Sequence, residues 1–206
     1  MPVVSVEQLA DGSMLGLWRF EEEPQTLAEL HPSLKVLYDR WKTMYRSTIR
    51  IVEKLAAHAL LMKMDGLSPD EKLPVIQHQA SGCPYLDDGR YISISHTKGY
   101  VALMLSEDHP VGVDIEYRSD RVAKIAHMFL RDDETTEDID EQLVIWCAKE
   151  AAYKLFSSDK LTFQQMKVER EGRPSDHILK LTNLLRQQSV HLNYHFENDY
   201  VLVYSS

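Results

Sequence analysis

The spacing of apolar residues along the chain predicts two long helices and a hairpin. Between residues 46 and 64, apolar positions recur every three to four residues, the pattern of a helix with one buried face. A second pattern of this kind covers residues 139–156. Apolar and polar residues alternate over 91–96 and again over 100–105, which predicts two strands joined as a hairpin. The chain is therefore expected to combine helices with sheets.

Shorter stretches complete this outline on both sides of a polar break at residues 107–110. The expected strands are 14–19, 111–116, 166–170, 178–181, 190–197 and 200–204, and the expected shorter helices lie near 34–41 and 120–129. Each side of the break then has a long helix and several strands. We therefore predict an α+β fold made of a tandem, pseudo-twofold pair of similar halves, residues 1–108 and 109–206, although the sequence shows no repeat.

Composition and charge exclude several classes of protein. Hydrophobic residues make up 44% of the 206 positions and charged residues 27%, as in an ordinary globular protein. The net charge of -9 argues against a general nucleic-acid binder. No apolar run approaches the roughly 20 residues that span a bilayer, and no signal peptide is apparent. Cys83 and Cys147 lie far apart and lack the spacing of a metal site, which suits a reducing cytoplasm. Together these features lead us to expect a cytoplasmic protein without a membrane or nucleic-acid partner.

A stripe of basic residues follows one side of the first long helix. Arg46, Arg50, Lys54 and His58 recur every four residues, so they share a helix face. One interpretation is an ordinary solvated face. The other is a phosphate-binding edge, because arginine and lysine bind phosphate through charge and hydrogen bonds. The spacing alone leaves both open.

Two acidic clusters carry the strongest chemical signal in the sequence. Asp114 and Glu116 lie two apart on a predicted strand and share one of its faces. Glu150 and Lys154 lie four apart on the second long helix and share a face there. Taken singly, each pair fits an exposed strand edge or a surface ion pair. Together, three carboxylates and a lysine suit a hard cation and a phosphate.

Several segments, in order along about half of the chain, resemble one known family. Residues 112–116 and 146–154 resemble the paired signature of the 4'-phosphopantetheinyl transferase superfamily. Residues 93–96 resemble the SxSH element of its longer members, residues 82–85 resemble its G-K/R-P element, and residues 53–61 resemble the helix before it. The chain length resembles that of the monomeric type, which has two similar halves per chain.

This resemblance implies a reaction and a set of residues. Family members move phosphopantetheine from coenzyme A to a serine of an apo acyl or peptidyl carrier protein, as holo-acyl-carrier-protein synthases do, and release adenosine 3',5'-bisphosphate. By resemblance, Asp114, Glu116 and Glu150 would bind Mg²⁺ in the C-terminal half. Glu150 would also accept the serine proton, and Lys154 would neutralise phosphate charge.

The resemblance also implies a coenzyme A site in the N-terminal half, so that the whole site would lie at the interface of the halves. Arg50, His58, Ser95 and His96 would hold coenzyme A, chiefly through its 3'-phosphate. Two positions depart from the family pattern. His58 stands where arginine is usual, which predicts that His58→Arg strengthens coenzyme A binding. Cys83 stands where lysine or arginine is common.

Other residues have two interpretations each. Lys149 is either a structural or surface lysine or a member of the site, and Glu134 is either a solvated loop acid or the counterpart of an acidic residue of the family. Trp146 is expected in the core. His191 and His195 have the spacing of a helical metal pair, but the alternation around them favours an exposed strand face.

Two other functions remain open from the sequence alone. One is a non-catalytic relative that binds coenzyme A or a carrier protein, which the departures at His58 and Cys83 would suit. The other is an unrelated Mg²⁺-dependent phosphohydrolase, for which the carboxylates alone would suffice.

Overall fold

The structure, a computed structural model, describes residues 3–205 and divides the chain into two units. The N-terminal unit is Met1–His109 and the C-terminal unit is Pro110–Ser206, one residue from the boundary that the sequence predicts. Each unit has a 17-residue helix, an antiparallel sheet and its own hydrophobic core. The fold class is therefore α+β, while the pseudo-twofold relation of the halves stays a prediction.

The N-terminal unit combines three helices with a four-stranded sheet. Its elements are β1 (Val3–Gln8), β2 (Met14–Arg19), α1 (Pro24–Ala28), α2 (Pro32–Met44), α3 (Thr48–Met64), β3 (Gln77–His78), β4 (Pro84–Tyr85), β5 (Tyr91–Thr97) and β6 (Tyr100–Ser106). The sheet order is β1-β2-β6-β5, with every neighbouring pair antiparallel. Strands β3 and β4 form a separate two-stranded ladder.

Helix α3 begins at a serine cap and packs its apolar face into the core. The Ser47 side chain accepts a hydrogen bond from the backbone N–H of Arg50, which satisfies one of the exposed donors at the helix start. Leu55, Ala56 and Leu60 are fully buried in the core of this unit. The opposite side of the helix keeps its charged residues near solvent.

The C-terminal unit places one long helix against a five-stranded sheet. Its elements are β7 (Val113–Tyr117), α4 (Ala126–Phe129), α5 (Ile139–Leu155), β8 (Met166–Glu171), β9 (Ile178–Asn183), β10 (Gln188–Phe196) and β11 (Tyr200–Ser205), with 3-10 turns at Asp120–Lys124, Phe163–Gln165 and Pro174–Asp176. The sheet order is β7-β11-β10-β9-β8, and each neighbouring pair is antiparallel.

Helix α5 and strand β7 approach each other at Gly112, the residue before the strand. A Cβ atom at Gly112 would collide with the carbonyl oxygen of Ala151 in α5, so only glycine permits this spacing. The Asp138 side chain caps the helix by accepting hydrogen bonds from the N–H groups of Asp140 and Glu141. The close approach sets the carboxylates of β7 beside those of α5.

This fold differs from the pattern-based prediction in one expected helix and in several short elements. The helix expected over 120–129 is wrong, because a 3-10 turn and the four-residue α4 meet at the non-helical Ile125. Its apolar positions are still used, since Val122 and Phe129 are buried. Strand β1 and helix α1 were not expected, and five residues are too few for α1 to show helical periodicity.

Candidate functional site

Strand β7 and helix α5 bring the predicted acidic residues together in the C-terminal unit. Asp114 is 4% exposed, and its Oδ1 lies 2.8 Å from the ammonium of Lys154 on α5. The same ammonium donates a hydrogen bond to the carbonyl oxygen of Val113 at 2.9 Å. Lys154 therefore ties the buried end of the strand to the helix, and its positive charge lies at the carboxylate cluster.

The second carboxylate of β7 has a different partner. The indole Nε1–H of Trp146 donates a hydrogen bond to Oε1 of Glu116 at 3.0 Å. Burial raises the pKa of Glu116, and the negative charge of Asp114 adds to this, whereas the indole hydrogen bond lowers it. The sequence placed Trp146 in the core, whereas its polar edge actually reaches this site.

Glu150 is the carboxylate whose protonation the site changes most. Partial burial raises the pKa of Glu150 to about 7, with added repulsion from the charges of Asp114 and Glu116 and a partial offset from Lys154. Such coupling requires the three carboxylates to be close in space. Strand β7 and helix α5 therefore place these carboxylates within electrostatic reach of one another, and their role in a site stays a prediction.

The donor set fits a hard divalent cation. Among residues 3–205, no three His, Cys, Asp or Glu side chains already stand as a ready-made metal site. The fit lies instead in the chemistry, because three clustered carboxylates offer the oxygen ligands that Mg²⁺ prefers. Burial is the main cause of the raised pKa values of Glu116 and Glu150, and a divalent cation would relieve the repulsion between carboxylates that adds to it.

A cleft of about 570 Å³ lies in the N-terminal unit beside helix α3. Its charged lining includes Arg50, Lys54, His78 and His96, together with Glu53. Small and apolar residues complete the wall, among them Ala57, Ile76, Gly82, Pro84 and Ile94. A cleft with this surplus of basic groups, on a chain of net charge -9, can bind an anion.

Aromatic rings support the two strongest cations of the cleft. The guanidinium of Arg50 lies 5.0 Å from the ring centre of Tyr45, and the ammonium of Lys54 lies 5.5 Å from Trp41 and 5.7 Å from Tyr45. Burial and the charge of Arg50 lower the pKa of Lys54. Burial and the charges of Lys54 and Arg50 likewise lower the pKa of His78. These groups therefore repel one another, and a bound anion would relieve that repulsion.

The SxSH-like segment contributes one residue to this cleft. His96 is exposed, lines the cleft and has its Nδ1 3.4 Å from a carboxylate oxygen of Glu53. Ser95 is the neighbouring residue on β5, and side chains alternate between the faces of a strand. It is buried on the face opposite Ile94 and His96, which both line the cleft. The geometry thus favours His96 over Ser95 as a ligand contact.

His58 is among the residues that line the cleft, but it does so from a buried position. Its side chain is 2% exposed, its Nδ1–H donates to the carbonyl oxygen of Lys54 at 2.8 Å, and its Nε2 accepts from the N–H of Ile76 at 3.2 Å. Burial lowers the pKa of His58 to about 4, so the ring is neutral. Both ring nitrogens of His58 form hydrogen bonds within the protein, and the ring carries no charge. These contacts give no support to a phosphate-binding role. An arginine there would instead bury a charge.

The second departure, Cys83, also brings no cation to the cleft. It is a free, partly buried cysteine whose Sγ donates weakly to the carbonyl oxygen of Pro84 at 3.6 Å. Its neighbours Gly82 and Pro84 line the cleft. Lys54 and His78 line the cleft, although the resemblance did not include them in the coenzyme A site. The four-residue spacing did point to Lys54, whereas His78 had no signal of its own.

The structure settles the interpretations of Lys149 and Glu134. Lys149 is fully buried, and its ammonium lies 2.5 Å from Oε2 of Glu134. Both side chains are buried in the C-terminal core, so Glu134 is not a solvated loop acid and Lys149 is not a surface lysine. His191 and His195 lie on strand β10, where the first pairs with Glu171 and the second stacks on Tyr204. They are not a helical metal pair.

Comparison with known proteins finds one family match, and it covers the segment that contains the carboxylate cluster. The family model of the 4'-phosphopantetheinyl transferase superfamily matches residues 110–205, a range that contains Asp114, Glu116, Glu150 and Lys154. No curated protein matches the chain. No helix in the described part of the chain is long and apolar enough to cross a membrane. The C-terminal unit is thus similar to the 4'-phosphopantetheinyl transferase superfamily over residues 110–205, and the match supports phosphopantetheinyl transfer as a general activity.

Proposed function

We propose that this protein transfers the 4'-phosphopantetheine of coenzyme A to a serine of an apo acyl or peptidyl carrier protein, with Mg²⁺ as cofactor. The observation that carries the proposal is the cluster of Asp114, Glu116, Glu150 and Lys154 within the unit that matches the superfamily. Carboxylates for a cation and a lysine for phosphate charge are what the transfer requires.

The reaction breaks one phosphoanhydride bond and forms one phosphoester bond. The serine oxygen attacks the phosphorus next to pantetheine, and the bond from that phosphorus to the bridging oxygen breaks. The bridging oxygen leaves with the electron pair as part of adenosine 3',5'-bisphosphate. The serine proton passes to a base, and Glu150 is the group we assign to receive it on a carboxylate oxygen.

The other residues of the cluster hold charge in place. Asp114, Glu116 and Glu150 would hold Mg²⁺, and the bound cation would offset negative charge on the pyrophosphate. Lys154 is fixed by its bonds to Asp114 and to the carbonyl oxygen of Val113, so its charge is oriented before the substrate arrives. Preoriented charge of this kind lowers the barrier because it does not have to reorganise during the reaction.

We assign the phosphate-rich end of coenzyme A to the cleft of the N-terminal unit. Arg50, Lys54, His78 and His96 supply its basic groups, and a 3'-phosphate monoester offers the anion they would bind. His58 does not enter this assignment. Its place under the cleft keeps the Ile76 segment attached to helix α3.

The finer features of the proposal follow the same chemistry. The activity would be of the holo-acyl-carrier-protein synthase kind, with a monomer as the active form. Two free cysteines fit a reducing compartment, which supports the cytoplasm as the place of reaction.

Intact-mass spectrometry of an apo acyl carrier protein tests the reaction directly. The carrier is incubated with the protein, coenzyme A and Mg²⁺, and we expect a mass gain of one phosphopantetheine that is lost when Mg²⁺ is chelated. Asp114→Asn should lose the gain as well, because it removes a ligand charge. An unchanged carrier mass with several carrier types and a folded protein would contradict the proposal.

A binding protein without transfer activity is the second candidate. The neutral His58 and the uncharged Cys83 favour it, since both remove cations that the family pattern supplies. Calorimetric binding of coenzyme A with no mass gain on any carrier would identify this function. Hydrolysis of coenzyme A without a carrier would instead point to the phosphohydrolase.

A further inference from the structure

The indole of Trp146 connects the carboxylate cluster to the interior of the C-terminal unit. Its Nε1–H bonds to Oε1 of Glu116, which leaves the second carboxylate oxygen of Glu116 as a potential cation ligand. A carboxylate with one oxygen fixed in this way has less rotational freedom. Holding it in place requires that the indole itself be immobile.

Two phenylalanine rings hold that indole. Phe129 meets it edge-on, with ring centres 5.2 Å apart and an interplanar angle of 62°. Phe163 meets it with ring centres also 5.2 Å apart, at an angle of 51°. Aromatic contacts of this geometry are directional as well as apolar, so they fix the plane of the indole.

The backbones of the same two phenylalanines are held by one buried ammonium. Lys149 lies on α5, three residues after Trp146, and donates to the carbonyl oxygens of Phe129 at 2.7 Å and Phe163 at 3.2 Å. Phe129 and Phe163 thus contact the indole through their rings and accept hydrogen bonds from the Lys149 ammonium through their carbonyl oxygens. Helix α5 carries both groups.

Glu134 completes the arrangement around the ammonium. Its Oε2 accepts from Lys149 and from the N–H of Arg131 at 3.1 Å, while its Oε1 accepts from the N–H of Val168 at 2.6 Å. Both charged side chains are buried, and removing two charges from water is costly. An apolar pair could stabilise a core as well, so this pair is better explained by the geometry it specifies.

We propose that Trp146 is a positioning residue that holds the Glu116 carboxylate for Mg²⁺, and that the Lys149–Glu134 ion pair fixes the two rings that hold Trp146. The inference rests on the proposed metal-dependent function. It adds a role for residues that would touch neither metal nor substrate. Partners of metal ligands commonly change metal affinity by roughly 10–100-fold when altered.

The test is divalent-cation binding to the full chain in the absence of coenzyme A and carrier. Mn²⁺ is titrated and the free ion is followed by electron paramagnetic resonance, with Mg²⁺ as competitor. Trp146→Phe keeps an aromatic ring and removes the N–H donor. We expect the dissociation constant of this variant for Mn²⁺ to rise by roughly 10-fold. Its thermal unfolding midpoint should shift no more than that of the control variant Trp18→Phe.

Trp18→Phe is the matched control. Trp18 is fully buried in the N-terminal unit, and its Nε1 has no hydrogen-bond partner among residues 3–205. It makes the same change in a core and should leave Mn²⁺ affinity unaltered. Equal affinity in Trp146→Phe and the wild type would overturn the positioning role. An equal loss of affinity in both variants would show a general effect of core damage and would also overturn it.

The ion pair is tested by a double change, since Lys149→Met alone would leave the Glu134 charge buried and could unfold the chain. Lys149→Met with Glu134→Gln removes both charges at similar volume. We expect a folded variant whose Mn²⁺ affinity is reduced, because the carbonyls of Phe129 and Phe163 lose their common donor. Wild-type affinity, or failure of the double variant to fold, would remove the ion pair from the inference.

Failure of the proposed function gives a different result. If the wild type binds neither Mn²⁺ nor Mg²⁺, the metal assignment itself is wrong and the positioning role is wrong with it. If the wild type binds the cation and Trp146→Phe binds it equally, only the positioning role is wrong. Carrier modification is measured separately and does not enter this comparison.

Discussion

The three carboxylates of the cluster have the same chemistry and three different environments. Asp114 is paired with Lys154, Glu116 accepts a hydrogen bond from the indole N–H of Trp146, and Glu150 has a pKa raised to about 7 by burial and by the charges of its neighbours. Each environment suits a separate task. The ion pair holds Asp114 against Lys154, the indole hydrogen bond orients Glu116, and the raised pKa of Glu150 suits a group that accepts a proton.

Glu150→Gln should abolish transfer while stabilising the metal-free protein. The pKa of Glu150 is raised above its usual value of 4.5, so ionisation of this group destabilises the fold as the pH rises through about 7. At pH 8 with Mg²⁺ chelated, we expect the thermal midpoint of the variant to rise by roughly 2–4 °C, the shift that about 1 kcal/mol gives at this size. Calorimetry at pH 8 and pH 4 checks this, because the difference is lost only below the unfolded pKa of 4.5.

The corresponding transfer assay uses the carrier-mass readout. Glu150→Gln should give no mass gain under conditions where the wild type reaches completion. Near-normal turnover with a folded variant would disprove the assigned role of Glu150.

His58 should make the stability of the N-terminal unit depend on pH. Its pKa falls from 6.5 to about 4 on burial, so the unfolded chain binds a proton before the folded chain does. The His58 contribution is therefore complete above pH 6.5 and is lost as the pH falls to about 4, a change of up to roughly 3 kcal/mol.

His58→Gln provides the matched comparison, since its amide oxygen can accept from Ile76 and the side chain does not titrate. Denaturant unfolding at pH 7 and pH 4.5 should show a smaller loss of unfolding free energy for the variant than for the wild type. The same pH slope in both proteins would mean that His58 is not the group responsible.

Sequence reasoning at the residue scale worked where a regular element fixed the outcome. The two-residue spacing of Asp114 and Glu116 and the four-residue spacing of Glu150 and Lys154 bring these groups together because strands and helices have fixed periods. His58 shares the period of the basic stripe, yet the segment at Ile76 covers it. A contact between a helix and a distant irregular segment leaves no trace in the spacing.

At the scale of elements, the site depends on how closely α5 can approach β7. Gly112 lies against the backbone of α5 beside Ala151, the residue after Glu150. Because the obstacle is a carbonyl oxygen and not a flexible side chain, any larger residue must move the helix. The distance between the carboxylates of the two elements would change with it.

Gly112→Ala should weaken cation binding and stability together. Overpacking at such a contact costs about 1–3 kcal/mol, and displaced carboxylates hold a cation less well. We expect a lower denaturation midpoint and a Mn²⁺ dissociation constant raised by at least a few-fold. Gly12→Ala is the control, because Gly12 has φ of +87° with nothing within 4 Å of an added Cβ, so it should lose stability by backbone strain alone. Unaltered Mn²⁺ affinity in Gly112→Ala would argue against this coupling of strand and helix.

The long elements were predictable and the short ones were not. Helices α3 and α5 each run for 17 residues, long enough for a periodic apolar face. The segment 120–129 has apolar residues at helical spacing but breaks at Ile125, so the same spacing serves two short turns. Helix α1 is shorter than two turns, a length at which periodicity carries no information.

At the scale of the whole molecule, the distribution of charge is uneven. The chain carries a net charge of -9, yet one cleft collects Arg50, Lys54, His78 and His96 with Glu53 as the acidic residue among its lining groups. The acidic surroundings oppose the approach of an anion, and the cleft attracts it at short range. Composition alone predicted the overall charge, whereas the local basic patch required the helix period and the fold of the 76–84 segment.

Lys54 should be the cleft residue that most clearly distinguishes coenzyme A from its form without the 3'-phosphate. Its ammonium lies over the rings of Trp41 and Tyr45 and is partly desolvated, so a bound phosphate would form a strong charged contact there. A charged hydrogen bond contributes about 1.5–3 kcal/mol, which corresponds to a change in affinity of roughly 10-fold or more. Lys54→Met retains the apolar stem and removes the charge.

We expect Lys54→Met to raise the dissociation constant for coenzyme A by roughly 10-fold and to alter that for dephospho-coenzyme A much less. Lys63→Met is the control, because Lys63 lies in the last turn of the same helix, is exposed and does not line the cleft. Calorimetric titration of both ligands at two salt concentrations separates a local contact from general charge, since a distant charge acts through screening alone. An equal loss for the two ligands would assign Lys54 to another part of coenzyme A, and no loss for either would remove the cleft from the site.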